Sequence, residues 1–111
     1  MSVKIEVNGE VMIAYLGGDI DHHTARPIRE EIDAEAEKNM PSLLVLDFKD
    51  VSFMDSSGIG LVMGRYRLLS PRGCELAVTN PSPQIYKVMN LAGLSRLAKI
   101  EKGDIKNDTA K

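Results

Sequence analysis

Residues 10–46 read EVMIAYLGGDIDHHTARPIREEIDAEAEKNMPSLLVL, and the architecture follows from them. Its opening, Glu10 to Leu16, is too continuously apolar for a strand with one wet face, so it reads as a strand inside a sheet, ended by Gly17-Gly18. The period then changes. Ala25, Ile28, Ile32 and Ala36 recur at helical spacing, Thr24 supplies a cap, and Pro27 falls in the first turn, where its missing N–H costs nothing. The helix reaches about Asn39, with Glu30, Glu31, Asp33, Glu35 and Glu37 on its outer face. Met40-Pro41-Ser42 closes it, and Leu43 to Leu46 is a short apolar run best read as a buried strand. Strand, helix and strand in this order imply a parallel pair joined by a right-handed crossover, and hence an α/β layer arrangement.

On the N-terminal side, Val3, Ile5 and Val7 alternate with Lys4 and Glu6, and Asn8-Gly9 supplies a tight turn, so a first strand forms a hairpin with the strand from Glu10. On the C-terminal side, a second helix begins at Ser56-Ser57, carries Ile59, Val62, Met63 and Tyr66 on one stripe, and ends near Leu69. Ser70-Pro71-Arg72-Gly73 is a turn and Cys74 to Thr79 a strand. Asn80-Pro81-Ser82-Pro83 leads into a third helix with Ile85, Val88, Met89 and Ala92 on one face, and Leu97 to Ile100 forms a last short strand. The expected product is one α/β domain over residues 1–111, a mixed sheet of four to five strands packed with helices and a polar tail from about residue 103.

A chain of 111 residues has room for one core. With 43% apolar and 27% charged residues and a net charge of -2, it is neither disordered by composition nor a basic nucleic-acid binder. No window approaches a membrane span and the first residues lack a long apolar region, so a cytosolic (cytoplasmic) location with no membrane partner is expected. The single Cys74, read as a small buried hydrophobe, excludes an internal disulfide. Charge is uneven: residues 1–55 carry 5 Lys+Arg against 12 Asp+Glu, and residues 56–111 carry 9 against 4. Either two faces of opposite sign or solvated faces that intermix in the fold would follow from this.

Chemistry concentrates in Asp55-Ser56-Ser57-Gly58, where a carboxylate and two hydroxyls meet the start of a helix. The free N–H groups and positive dipole end there would accommodate a phosphate on Ser56; the alternative is that Ser56 or Ser57 only caps the helix. Gly58, Gly60 and Gly64 cost a helix interior roughly 0.8 to 1 kcal/mol each, which something must offset. Gly60 and Gly64 share a face, leaving a flat strip for close packing on the sheet or for the approach of another protein. Asp21-His22-His23-Thr24 lies in the other loop before a helix, and such loops share one sheet edge, so it is expected beside Ser56. Adjacent histidines do not converge on a metal, and no third His or second Cys completes a ligand set, so no metal is expected. Ser56, His22 or His23, and Asp21 or Asp55 could form a hydrolase triad, but Met54 stands where a nucleophile elbow needs glycine. The glycines match no nucleotide cradle, and no cofactor is expected.

The segments Asp21-His22-His23-Thr24-Ala25 and Val51-Ser52-Phe53-Met54-Asp55-Ser56-Ser57-Gly58-Ile59-Gly60, continuing to Gly64-Arg65-Tyr66, closely resemble the anti-sigma factor antagonists of endospore-forming bacteria, the sporulation anti-sigma-F antagonists most of all. The resemblance covers roughly residues 3 to 100 and implies the STAS fold; because the chain stops soon after Ile100, the longer C-terminal helix of some members is not expected. It also implies a non-enzymatic switch. The unphosphorylated protein, a monomer when free, binds an anti-sigma factor that is also a serine kinase, and the sigma factor is released. The kinase phosphorylates the first serine after the aspartate, here Ser56, the antagonist lets go, and a serine phosphatase restores it. The partner-binding residues implied are Asp21, His22, His23, Thr24, Asp55, Ser56, Ser57, Gly58, Gly60 and Gly64. Asp55 is expected to help position the serine, while the direction of Arg65 and Arg67 stays open. A related antagonist or scaffold in a general stress-response switch is the neighbouring alternative, and a small hydrolase using Ser56 the remote one.

Overall fold

The computed structural model describes residues 3–101. The strands are β1 (Val3–Asn8), β2 (Val11–Ile20), β3 (Leu43–Met54), β4 (Glu75–Thr79) and β5 (Lys99–Glu101); the helices are α1 (His22–Asn39), α2 (Ser56–Leu69) and α3 (Pro83–Leu91). The five strands lie in one sheet in sequence order, β1 antiparallel to β2 and every later pair parallel. The mixed sheet expected from the sequence is therefore present.

Each parallel pair is bridged by a helix, and right-handed crossovers between sequential neighbours put α1, α2 and α3 on one face. That face holds the main core: Met12, Ala14 and Leu16 from β2 and Leu44, Leu46 and Phe48 from β3 meet Ile28 and Ile32 of α1, Leu61 and Val62 of α2, and Ile85 and Met89 of α3. Ile13, Val45 and Ala77 point to the opposite face, as strand alternation requires.

Several boundaries differ from the sequence reading, each for a local reason. β2 does not stop at Gly17-Gly18 but runs to Ile20, because β3 runs beyond Leu46 to Met54 and continues to pair with it. Two register shifts, at Tyr15/Gly17 and Gly18/Asp19, absorb extra β3 residues, and opposite them Gly18 takes φ 76°, a left-handed backbone that suits glycine. The consequence is positional, since the lengthened strands end level and the amide of Asp55 donates to the carbonyl of Ile20 at 3.1 Å. α1 begins at His22, so Thr24 is its third residue and not its cap. α3 buries only Ile85 and Met89; Val88 and Ala92 are exposed, so its apolar stripe is narrower than the spacing suggests. The turn after α2 is a 3₁₀ turn at Ser70–Arg72, and the final strand is shifted to Lys99–Glu101. The polar tail and any C-terminal helix lie outside the described residues.

The uneven charge resolves into intermixing across the α1–α2 seam. Arg65 of α2 pairs with Asp33 of α1 at 2.8 Å, and Arg72 pairs with Glu37 at 3.0 Å, so at this seam acidic residues of the first half meet basic residues of the second.

Candidate functional site

The two loops before α1 and α2 repeat one piece of chemistry. Asp21, extended at φ -130°, accepts hydrogen bonds from the amides of His23 (2.9 Å) and Thr24 (3.0 Å), while the Thr24 hydroxyl accepts from the Asp21 amide at 2.9 Å. This capping box is closed further by the same hydroxyl donating to the Asp19 carbonyl at 2.9 Å. Asp55, extended at φ -101°, accepts from the Ser57 amide at 2.8 Å and caps α2. Neither serine is the cap, contrary to one of the two sequence readings. An aspartate won both positions because its carboxylate accepts amides and complements the helix dipole.

Capping by Asp55 makes Ser56 the first residue of α2, with its side chain exposed. Its hydroxyl makes no hydrogen bond among the described residues. Ser57, half-buried, turns into the seam toward α1 and lines an open groove with His22, Arg26, Arg29, Gly60 and Leu61. The structure thus brings His22 to Ser57 and Gly60, and joins the two loops through the Asp55–Ile20 bond. His22 and His23 are exposed, with ring centroids 4.0 Å apart and ring planes tilted by 39°. Asp21 Oδ1 and the Thr24 hydroxyl are engaged in the capping box.

The three glycines divide. A Cβ at Gly58 would overlap Cγ and Sδ of Met54, so this buried glycine is required by close helix-to-strand packing. A Cβ at Gly60 or Gly64 would meet nothing within 4 Å, which overturns sheet packing as the reason for those two. They leave the α2 backbone open from outside.

Arg65, left open by the sequence, is 5% exposed and points to Asp33 on α1, whereas Arg67 is exposed. Burial pushes the Asp33 carboxyl up and the Arg65 guanidinium down, each opposed by the partner's charge. Sequence reasoning also missed a polar cluster at Asp47, which is 4% exposed and accepts from Thr79 Oγ1 and Asn80 Nδ2, both at 2.8 Å. Its only sequence signal is a carboxylate that follows directly on the apolar run Leu43 to Leu46. Phe53 at the end of β3 is 53% exposed, an aromatic facing outward beside the loops.

The Asp21 carboxyl is held below its ordinary value of 3.8, chiefly by the Thr24 amide and then by that of His23. A lowered folded-state pKa means that the cap's stabilisation is present above the unfolded value and is lost as pH falls through the folded one. Carboxyl-carbon NMR should therefore give Asp21 a midpoint below 3.8, and α1 amide protection near His23 and Thr24 should fall on acidification below that midpoint. A midpoint at or above 3.8 would contradict the capping geometry.

A parallel-rich α/β domain that brings two capped helix N-termini to one sheet edge, beside an outward-facing serine and an open glycine-lined seam, has the form of a small docking module. The chain belongs to the STAS domain family, whose model matches residues 2–105. An anti-sigma F factor antagonist from Paenibacillus polymyxa is 31% identical over 105 residues, 95% of this chain and 90% of that one. The solved structure of the anti-sigma factor antagonist SpoIIAA in its unphosphorylated form is 31% identical, with a TM-score of 0.82 over 97% of this chain and 93% of that one. The Bacillus cell fate determinant SpoIIAA in the phosphorylated form is 32% identical, with a TM-score of 0.75 over 99% of this chain and all of the other. No helix among the described residues is long and apolar enough to cross a membrane.

Proposed function

We propose that this chain is an anti-sigma factor antagonist of sporulation control: a cytoplasmic protein, monomeric when free, that binds an anti-sigma factor serine kinase and thereby frees the sigma factor. The kinase inactivates it by phosphorylating Ser56, and a serine phosphatase reactivates it. The observation that carries this reading is the position of Ser56. It is exposed and first in α2, with a hydroxyl that makes no hydrogen bond among the described residues, at the positive end of the helix dipole that favours an added dianion, whereas its neighbour Ser57 faces the seam. Kinship with a protein named an anti-sigma F factor antagonist, and with the anti-sigma factor antagonist SpoIIAA solved in unphosphorylated and phosphorylated forms, supports both the partner class and the modification.

On this reading the kinase docks across the two loops, with Asp21, His22, His23 and Thr24 on one side and Asp55, Ser56, Ser57 and Gly58 on the other, while Gly60 and Gly64 admit it close to the α2 backbone. Asp21, Thr24, Asp55 and Gly58 act by shaping the surface, through caps and packing, and the exposed His22, His23 and Ser56 meet the partner.

Binding titration against the cognate anti-sigma factor tests the reading, with Gly64→Ala as the diagnostic variant. Its new methyl group meets nothing internally and gains helix propensity, so thermal stability should hold or rise by up to about 1 kcal/mol while affinity falls at least tenfold. Unchanged affinity would remove Gly64 from the interface; no binding by the unsubstituted chain would remove the antagonist reading itself.

A further inference from the structure

The seam between α1 and α2 is closed in one half and open in the other. Toward the helix C-termini it is tied by Arg65–Asp33 and Arg72–Glu37, with the Arg65 side chain almost fully buried. Toward the N-termini no side chain fills it, because α2 presents Gly60, whose missing Cβ would find nothing within 4 Å. The wall opposite is basic: His22, Arg26 and Arg29 recur at i, i+4 and i+7 on α1 and line the gap together with Ser57 and Leu61. Arg26 is held only by an exposed pair with Glu30 at 3.3 Å, of the kind that contributes little and exchanges readily. Arg29 forms no ion pair within 4.0 Å among the described residues, although Asp33 feels its charge. Two arginines therefore border an unfilled, glycine-floored groove in the half of the chain that carries 12 of its 16 acidic residues, where a basic groove is least expected from composition.

We propose that this groove is a subsite for a carboxylate-bearing segment of the anti-sigma factor, with Arg29 and Arg26 receiving Asp or Glu side chains and Gly60 providing the depth for them to enter. The inference rests on the antagonist reading and adds the partner's chemistry at one place. Charge complementarity selects the occupant: two guanidinium groups, each able to bind a carboxylate through paired N–H donors, face a space that an apolar helix would fill only by stranding them. Such contacts raise association rates and screen with salt.

The test is surface plasmon resonance of the full chain on the immobilised cognate anti-sigma factor at about 50 and 300 mM salt, comparing the unsubstituted chain with Arg29→Glu, Arg26→Glu and Arg96→Glu. Arg96 is exposed after α3, away from the groove, so it carries the same change in net charge. Arg29→Glu should weaken binding at least tenfold at low salt, mainly through association, with a smaller penalty at high salt, while circular dichroism shows the fold retained despite the like charge it sets four residues from Asp33. Arg26→Glu should act in the same direction and Arg96→Glu should stay within about twofold. Equal losses in all three would reduce the effect to net charge, and no loss in Arg29→Glu would overturn the subsite while leaving the antagonist function standing. Absence of binding by the unsubstituted chain would overturn both.

Discussion

Phosphoserine at position 56 is expected to weaken binding of the anti-sigma factor at least a hundredfold while leaving the fold of the chain unchanged. The phosphate brings a charge of about -1.5 to -2. Within the chain that charge is tolerated, since Ser56 is exposed to water and begins α2 at the positive end of the helix dipole. At a docked, partly desolvated interface the same dianion has neither room nor water. A hundredfold loss needs only about 2.7 kcal/mol, well within the cost of one misplaced dianion. Chemically homogeneous phosphoserine protein, titrated against the anti-sigma factor, measures the affinity; amide NMR should confine the shifts to the two loops and the first turns of α1 and α2. Retained affinity, or shifts spread through β1 to β4, would contradict release by local conflict.

Gly58→Ala should be the most damaging single methyl in α2. Its Cβ would overlap Cγ and Sδ of Met54, which is buried and fixed at the end of β3, and Cγ is too near the backbone to swing aside freely. Overpacking of this kind costs about 1–3 kcal/mol, more than the roughly 0.8 to 1 kcal/mol that alanine returns in helix propensity. For a domain of this size each kcal/mol moves the melting temperature by about 4–8 °C. Gly60→Ala, with open space at the same helix, should be neutral or stabilising, so the pair separates packing from propensity. Met54→Ala alone should also destabilise by opening a cavity, but combined with Gly58→Ala the losses should fall well short of additive, because each change relieves the other. If Gly58→Ala melts with Gly60→Ala, the close contact between α2 and β3 is not what the glycine serves.

The contrast among these glycines shows what a sequence can and cannot disclose. The order of strands and helices was legible because periodicity is local: Val3-Ile5-Val7 alternates, Ala25-Ile28-Ile32-Ala36 winds, and the buried residues of α1 are Ile28, Ile32 and Ala36. The meeting of the two loops was legible from topology, since strands of a parallel sheet end at one edge. Gly17-Gly18 was misleading because a glycine pair usually ends a strand, and only the partner strand, running to Met54, keeps it paired. Gly58, Gly60 and Gly64 look alike in sequence, and only the position of Met54 tells the packed one from the open ones. The Asp33–Arg65 pair spans 32 residues and follows from helix placement, not from any local pattern. Basic residues on an acidic helix were likewise invisible as a groove until α2 lay beside them.

Ser56 is the proposed acceptor of the switch. Intact mass after incubation with ATP and the cognate anti-sigma factor kinase tests it directly on three proteins: the unsubstituted chain, Ser56→Ala and Ser57→Ala. A single gain of about 80 Da is expected in the unsubstituted chain and in Ser57→Ala, and none in Ser56→Ala. A gain that persists in Ser56→Ala, or is lost only in Ser57→Ala, would contradict it.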